Sequence, residues 1–294
     1  MMKAEVILAS RSAESPDLVT MHLRYPRFIH SEIMTHRVFS RNARSSRAVP
    51  AKTMLEEIRN DPVVPWHWTK NQPGMQGEKG HDTLIRIPGV GSITAQEGWL
   101  WARDQALKAA EVFAAADYHK QIFNRLVEPF MWIDVLVTAT EWSNFLYLRD
   151  HPDAEPHIRD LAVMVREALE GADYQYLVPG QWHTPYITDE DRAHAWHYAV
   201  SERGTMPYAA GLLRDLLLLK ISAARCARIS YAPFVGNPSI ERELERYELL
   251  VGNDAVHASP LEHQAECTPR APKEQTRNFR GWTQFRTHIP HETR

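Results

Sequence analysis

The stretch HRVFSRNARSSR, His36 to Arg47, holds four arginines, three serines, an asparagine and a histidine in twelve residues. Guanidinium forks and hydroxyls together suit a phosphate, because charge-assisted bonds are shorter and about twice as strong as neutral ones. There is no Gly-rich loop here, so this is no Walker-type cradle. On composition alone three uses stay open: a solvated basic face, a nucleic-acid arm, or a pocket for a phosphorylated small molecule. The arginines at 41, 44 and 47 recur every third residue, so a helical turn would put them on one side.

The whole chain narrows that choice. Its 294 residues carry a net charge of −3, with 44% hydrophobic and 24% charged residues. Proteins that coat nucleic acid or membranes usually carry a basic excess, so a basic cluster on this chain points to a local anion site. Two cysteines, Cys226 and Cys267, give neither a disulfide framework nor zinc spacing. Cys226 reads as a buried thiol. No apolar run suits a signal peptide or a membrane span, since LLRDLLLLKI is broken by Arg214 and Asp215. The expectation is a cytoplasmic protein. His194 and His197 are spaced to share a metal, with His183 nearby, but no third ligand is fixed by pattern. No metal is expected. Gly89-Val90-Gly91 lacks the context of a dinucleotide fingerprint and reads as a turn.

Several elements must position these residues. AEVILAS and DLVTMHLRYP, separated by SAESPD, predict a strand pair. Residues 60–92 are rich in Pro and Gly and predict a long irregular excursion. Thr94 with Glu97 makes a capping box for a helix reaching about Ala116. LVEPFMWIDVLVTATEWSNFLYLR reads as buried helix, or helix plus strand. Ile158, Leu161, Val165 and Leu169 mark a helical face stopped by Gly171. Thr188 is a candidate N-cap for DEDRAHAWHYAVSE, and GLLRDLLLLKISAARCARIS predicts a buried helix. Asn237-Pro238 opens a last helix with Ile240, Leu244, Tyr247 and Val251 as its stripe. The tail from about 268 to 294 is basic and aromatic, without a clear period. With no repeat and no clean linker, one α+β domain over 1–294 is expected.

The order of residues in the basic stretch says more than its composition. Thr35 to Arg47 resembles the signature of the flavin-dependent thymidylate synthases, RHRxxSxNxxSxR. Every signature position after the first is kept. Thr35 replaces the leading arginine, and Ala43 stands where the family usually has glutamate. A second block, NRLVEPFMWIDVLVTATEWSNFLYLR, resembles the family segment that ends NFLxLR. A third pair, ISAARCARISY and HASPLEHQA, resembles the family's N-terminal region but lies here at the C-terminal end. The order reads as a circular permutation, which chains tolerate where termini are near each other at the surface.

The resemblance implies an antiparallel sheet with packed helices, permuted and with insertions. It also implies reductive methylation of dUMP to dTMP, with FAD as cofactor, and 5,10-methylenetetrahydrofolate and NADPH as co-substrates. Ser45, Ser46, Arg47 and Arg125 would then bind the nucleotide phosphate, and Arg149 would contact the pyrimidine as the catalytic arginine. His36, Arg37, Ser40, Asn42, Asn144, Ser230, Ser259 and Glu262 would line the flavin. A flavin-site arginine and a histidine of the family are replaced by Thr140 and Asp153. The family works as a homotetramer. Two other readings stand beside this one. One is C5 modification of another pyrimidine nucleotide, such as dCMP. The other is a single-stranded nucleic-acid-binding protein that stacks bases on Phe279, Trp282 and Phe285 among tail arginines.

Overall fold

The computed structural model describes all residues except 75, 76, 78, 204–206, 231–238, 253–255, 291, 293 and 294. Its strands are β1 Lys3–Arg11, β2 Leu18–Pro26, β3 Ser40–Ala43, β4 Ile85–Ile87, β5 Gly91–Ile93, β6 Trp132–Ala139, β7 Tyr174–Tyr176, β8 Trp182–His183, β9 Ala265–Cys267 and β10 Trp282–Gln284. Its helices are α1 His30–Ile33, α2 Ala51–Asn60, α3 Ala95–Ala115, α4 Lys120–Phe123, α5 Ser143–Arg149, α6 Pro156–Glu170, α7 Asp189–Arg203, α8 Pro207–Ala227, α9 Ile240–Val251 and α10 Lys273–Thr276. The fold is α+β, with a five-stranded sheet in the order β3-β6-β2-β1-β7. Its pairs are antiparallel except the edge strand β7, which runs parallel to β1.

Alternation along the central strands sorts the side chains onto two faces. Val19, Met21, Leu23 and Tyr25 of β2 share one apolar cluster with Ile133, Val135, Val137 and Ala139 of β6. Ile158, Leu161, Ala162 and Val165 of α6 complete that cluster. The α6 start is fixed by Pro156 in its first turn and by the Glu155 carboxylate, which accepts from the His157 and Ile158 amides. The opposite face shows polar groups: His22 bonds Asp134 at 2.9 Å, and Thr20 bonds Thr138 at 2.7 Å. On this face Cys226 and Ile229 pack against Leu136, and His263 bonds Thr138.

Two local signals act as expected. Thr94 and Glu97 form the capping box of α3. The 85–93 stretch is a hairpin whose turn needs Gly89 and Gly91 at φ +77° and +117°, values that side chains with a Cβ resist. The start of the excursion is pinned to helices. Trp66 and His67 reach Asp160 of α6 at 2.7 and 3.1 Å, and the Trp99 indole of α3 donates to the Val63 carbonyl at 2.8 Å. Thr188 caps α7 in a reciprocal pattern with Asp191. Asn237 and Pro238 lie outside the described residues; α9 starts at Ile240 after Ser239 as N-cap.

Two expectations are corrected. Residues 40–43 form a strand, with Ser40 opposite Thr138 and Asn42 opposite Leu136. Arginines 41, 44 and 47 therefore do not share a helical side, because pairing with β6 imposes a period of two. The tail aromatics are core residues rather than base-stacking platforms. Phe279 and Trp282 are buried with Leu18, Leu177, Ala265 and Cys267, and Phe285 is buried with Leu219, Tyr247 and Leu261.

Candidate functional site

Arg149 ends α5, the short helix that follows β6. Its Nε donates to His36 Nε2 at 3.1 Å, its Nη1 to Glu32 Oε2 at 3.0 Å and its Nη2 to Thr35 Oγ1 at 3.3 Å. Thr35 Oγ1 itself donates to the Glu32 carbonyl at 2.6 Å. The position where the resemblance leads one to expect arginine thus holds a hydroxyl that braces Arg149. The His36 ring stands edge-on to Phe145 with centroids 5.0 Å apart. Burial, with the Arg149 and Arg41 cations, pushes His36 down to about 4. It is neutral at pH 7, and its Nε2 accepts the hydrogen bond from the Arg149 Nε–H. Burial raises the Glu32 carboxyl, and the Arg149 charge opposes that shift.

Two clefts meet at this cluster. One, of about 670 Å³, is lined by Glu32, Tyr147, Leu148, Arg149 and Asp153 among others. The other, of about 340 Å³, is lined by Thr35, His36, Arg37, Phe39, Asn144 and Arg280. The Arg149 bonds to Thr35 and His36 join the two. Arg37 and Asn144 are exposed there. Arg280 comes from the tail: its amide donates to Thr140 Oγ1 at 3.2 Å, and its guanidinium lies 3.8 Å from Glu141. The tail thus sets the Arg280 backbone against Thr140 and its guanidinium near Glu141.

The C-terminal blocks return to β3. Asn42 Nδ2 donates to the Cys226 carbonyl at 2.9 Å, and Ser230 Oγ donates to Asn42 Oδ1 at 3.2 Å. The Ser45 amide donates to the Ser230 carbonyl at 3.3 Å. Gln284 Nε2 reaches both Ser40 Oγ at 2.8 Å and the Glu262 carbonyl at 3.4 Å. Ser40, Asn42 and Ser230 are buried and spend their hydrogen bonds inside the chain. Ser259 and Glu262 sit half-buried in a single 3-10 turn, where Glu262 accepts from Arg286.

A third group gathers at the other end of β3. Asn124 Nδ2, one residue before Arg125, donates to the Ser46 carbonyl at 2.7 Å. Ser46 Oγ donates to Glu128 at 3.2 Å, and the Arg47 amide donates to Ser45 Oγ at 3.3 Å. Arg47 and Arg125 are exposed.

Behind these groups runs a buried chain of hydroxyls and imidazoles. Gln175 Nε2 donates to Ser10 Oγ at 2.8 Å, and Ser10 bonds His183 Nδ1 at 2.6 Å. His183 Nε2 bonds Thr20 at 2.8 Å, Thr20 bonds Thr138, and Thr138 bonds His263 Nδ1 at 2.8 Å. His183 is thus committed to this chain and not to His194 or His197. Among the described residues, no group of three or more metal-ligating side chains comes together.

A larger cavity, of about 830 Å³, opens between α7, α8 and α9 and contains none of the residues matched to the nucleotide or flavin. The residues that the resemblance names around Arg149 and His36 line the two smaller clefts instead. Sequence reading missed Glu32, Gln284 and the placement of Arg280. Glu32 lies four residues before His36 in a local helical stretch, which is the only signal that could have found it.

No family model matches the chain, and no curated protein matches it. Among solved structures it is similar to the flavin-dependent thymidylate synthase ThyX from Helicobacter pylori complexed with FAD and dUMP. That likeness has 14% identity and a TM-score of 0.36, covering 52% of this chain and 67% of that one. It is also similar to the UMP/dUMP methylase PolB from Streptomyces cacaoi bound with 5-Br UMP. There the identity is 15% and the TM-score 0.41, covering 57% of this chain and 88% of that one. At these scores the likenesses assign no residue and choose no substrate.

Proposed function

We propose that this protein transfers a reduced one-carbon group to C5 of a pyrimidine deoxynucleotide, dUMP to dTMP being the reaction that the motif resemblance implies. The observation that carries the reading is the bond from Ser230 to Asn42, which seats the displaced C-terminal block against the β3 signature. That is the neighbourhood a permuted synthase would need.

The residues suit the group the resemblance calls for. The cleft beside His36 has an aromatic wall, Phe39 and Phe145, and polar groups at its edge, Arg37, Asn144 and Arg280. A flat heterocycle with polar edges fits such a donor set. When bound, FAD would supply the hydride, methylenetetrahydrofolate the carbon, and NADPH the reloading electrons; cofactors of this kind carry the difficult chemistry. In this reading Arg37, Asn144 and Arg280 hold the flavin edge, and Ser259 and Glu262 are further flavin contacts that the resemblance implies. Ser40, Asn42 and Ser230 act from behind, fixing the strand and turn that carry the contacts. Ser45, Ser46, Arg47 and Arg125 bind phosphate, the arginines supplying charge and the serines hydrogen bonds. Arg149 orients the base and stabilises charge developing on it. His36, neutral, holds that guanidinium in place through Nε2. The exposed Arg47 and Arg125 leave room for a second subunit, and a homotetramer is part of the reading.

The test is the visible absorption spectrum of the purified protein before and after FAD addition and desalting. A retained yellow flavin, followed by a mass shift of dUMP or another pyrimidine nucleotide in the presence of folate and NADPH, is the expected result. A protein that stays colourless with FAD removes this reading. The nucleic-acid reading loses its stacking residues to the core; steeply salt-dependent binding of single-stranded DNA would restore it.

A further inference from the structure

The cavity between α7, α8 and α9, of about 830 Å³, takes no part in the reading given above. Its volume is that of a small-molecule site. Apolar side chains from all three helices line it: Ala195 of α7, Leu217 and Ile221 of α8, and Ile240 and Leu244 of α9. Ala195 and Ile221 are buried, whereas Leu217, Ile240 and Leu244 are only half-buried in the folded chain. Apolar surface left beside water costs free energy that an apolar ligand body would recover. Tyr198 adds an aromatic ring to the lining, a group that attracts cations.

The charged groups of the lining are unbalanced. Arg225 and Asp191 form a buried pair, Nη2 to Oδ1 at 2.7 Å, and their charges cancel. The exposed acids are Glu190 on α7 and Glu241, Glu245 and Glu248 on α9. Among the described lining residues, only His194 is both exposed and able to carry a positive charge. Lys220 answers Glu248 at 2.9 Å. Glu190 and Glu241 lie in the first turns of their helices, where the helix dipole favours an acid. Glu245, one turn further along α9, lacks that support. Neither Glu190 nor Glu245 has a hydrogen-bond or ion-pair partner among the described residues. Glu241 and Glu245 are four residues apart on one helix face, a like-charge spacing that costs the helix stability by itself. A cation bound in the cavity would turn that repulsion into attraction.

We propose that this cavity binds an organic cation, an ammonium group carried on an apolar body. The body lies between the three helices, and the ammonium sits among Glu190, Glu241 and Glu245. The site is independent of the nucleotide clefts, with which it shares no lining residue.

The test is titration calorimetry of the full chain with octylammonium chloride and with sodium octanoate, both below the concentrations at which they form micelles. The probes share a chain length and differ in the sign of the head group. Exposed ion pairs are weak one by one, but the carboxylates attract one probe and repel the other, so octylammonium should bind about tenfold or more tighter at low salt. That gap should narrow as salt rises. In Glu241→Gln/Glu245→Gln, which changes two exposed side chains of α9, it should shrink by about threefold or more. Leu217→Trp fills the space and should abolish octylammonium binding. Equal binding of the two probes overturns the proposal, as does a gap that the double variant leaves unchanged. Octylammonium binding that survives Leu217→Trp places the probe elsewhere and overturns it too. A chain that binds neither probe overturns it, and one that is then a dimer split by Leu217→Trp gives the cavity to a second copy. The comparison of the two probes on the wild type is decisive even where a variant fails to fold.

Discussion

Two histidine-centred networks in this molecule are built on the same principle and differ in what they leave unspent. In the sheet interior, Ser10, His183, Thr20, Thr138 and His263 pass hydrogen bonds from one to the next. Followed from the Gln175 amide, the donors run one way, and only His263 Nε2 ends without a partner among the described residues. At the rim, His36 accepts from Arg149, but two of the arginine's N–H groups and one oxygen of Glu32 stay unused beside an open cleft. A buried network that is nearly closed supports the architecture, since unmade bonds there are costly. Unused valences tolerated at a cleft mark where a ligand completes the set.

The largest effect should come from breaking the open network. Arg149→Ala removes the guanidinium that lines the cleft. Turnover should fall by roughly a hundredfold to a thousandfold, the cost of losing one preorganised electrostatic donor. Flavin retention should survive, because Arg37, Asn144 and Arg280 line the other cleft. Steady-state kinetics with flavin absorbance on the same sample separates the two; full activity in this variant would strip Arg149 of its role.

Acid should break both networks at once. His30 and His36 are pushed down to about 4 and His183 and His263 to about 3, in each case chiefly by burial. Their folded-state values lie below the ordinary 6.5, so the unfolded chain binds protons first as pH falls. Stability is then fully present above about 6.5, declines through the window from 6.5 to about 4, and keeps declining toward 3 as the two interior histidines continue to resist protonation. Urea unfolding midpoints at several pH values check this. A flat profile between pH 6.5 and 5 would mean that these imidazoles are protonated in the native state.

The inner network alone is tested by Thr138→Val, which keeps the shape and removes the hydroxyl. Thr20 then loses its acceptor, and His263 loses its one hydrogen bond among the described residues. A loss of about 1–3 kcal/mol is expected from thermal or chemical unfolding. Nucleotide binding should not change. If it does, the two networks are coupled.

How much of this was legible in the sequence follows the range of the interactions concerned. The β1/β2 pair, the Thr94–Glu97 box and the α6 stripe stopped by Gly171 are local, and local pattern found them. The strand β3 was not legible, because its partner β6 lies some ninety residues away and the arginine spacing mimicked a helix. In the site, the signature motif and the NFLYLR block carried His36, Asn144 and Arg149 by resemblance. Glu32 carried no pattern of its own. Arg280 was read as part of a nucleic-acid tail, because only the burial of Phe279 and Trp282 turns that tail back over the cleft. Long-range packing, rather than residue type, decided both.

The smallest and sharpest test falls on Thr35, where this chain departs from the signature. Its hydroxyl accepts from Arg149 Nη2 and donates to the Glu32 carbonyl, on an exposed residue. Thr35→Ala should cost less than about 1 kcal/mol of stability, as for a solvent-accessible hydrogen bond. It should also free a third N–H on Arg149 without touching the Glu32 carboxylate. Titration calorimetry with a pyrimidine deoxynucleotide should show affinity only slightly weakened, as the guanidinium gains freedom. Complete loss of binding would make Thr35, the position where this chain departs from the signature, a nucleotide contact in its own right.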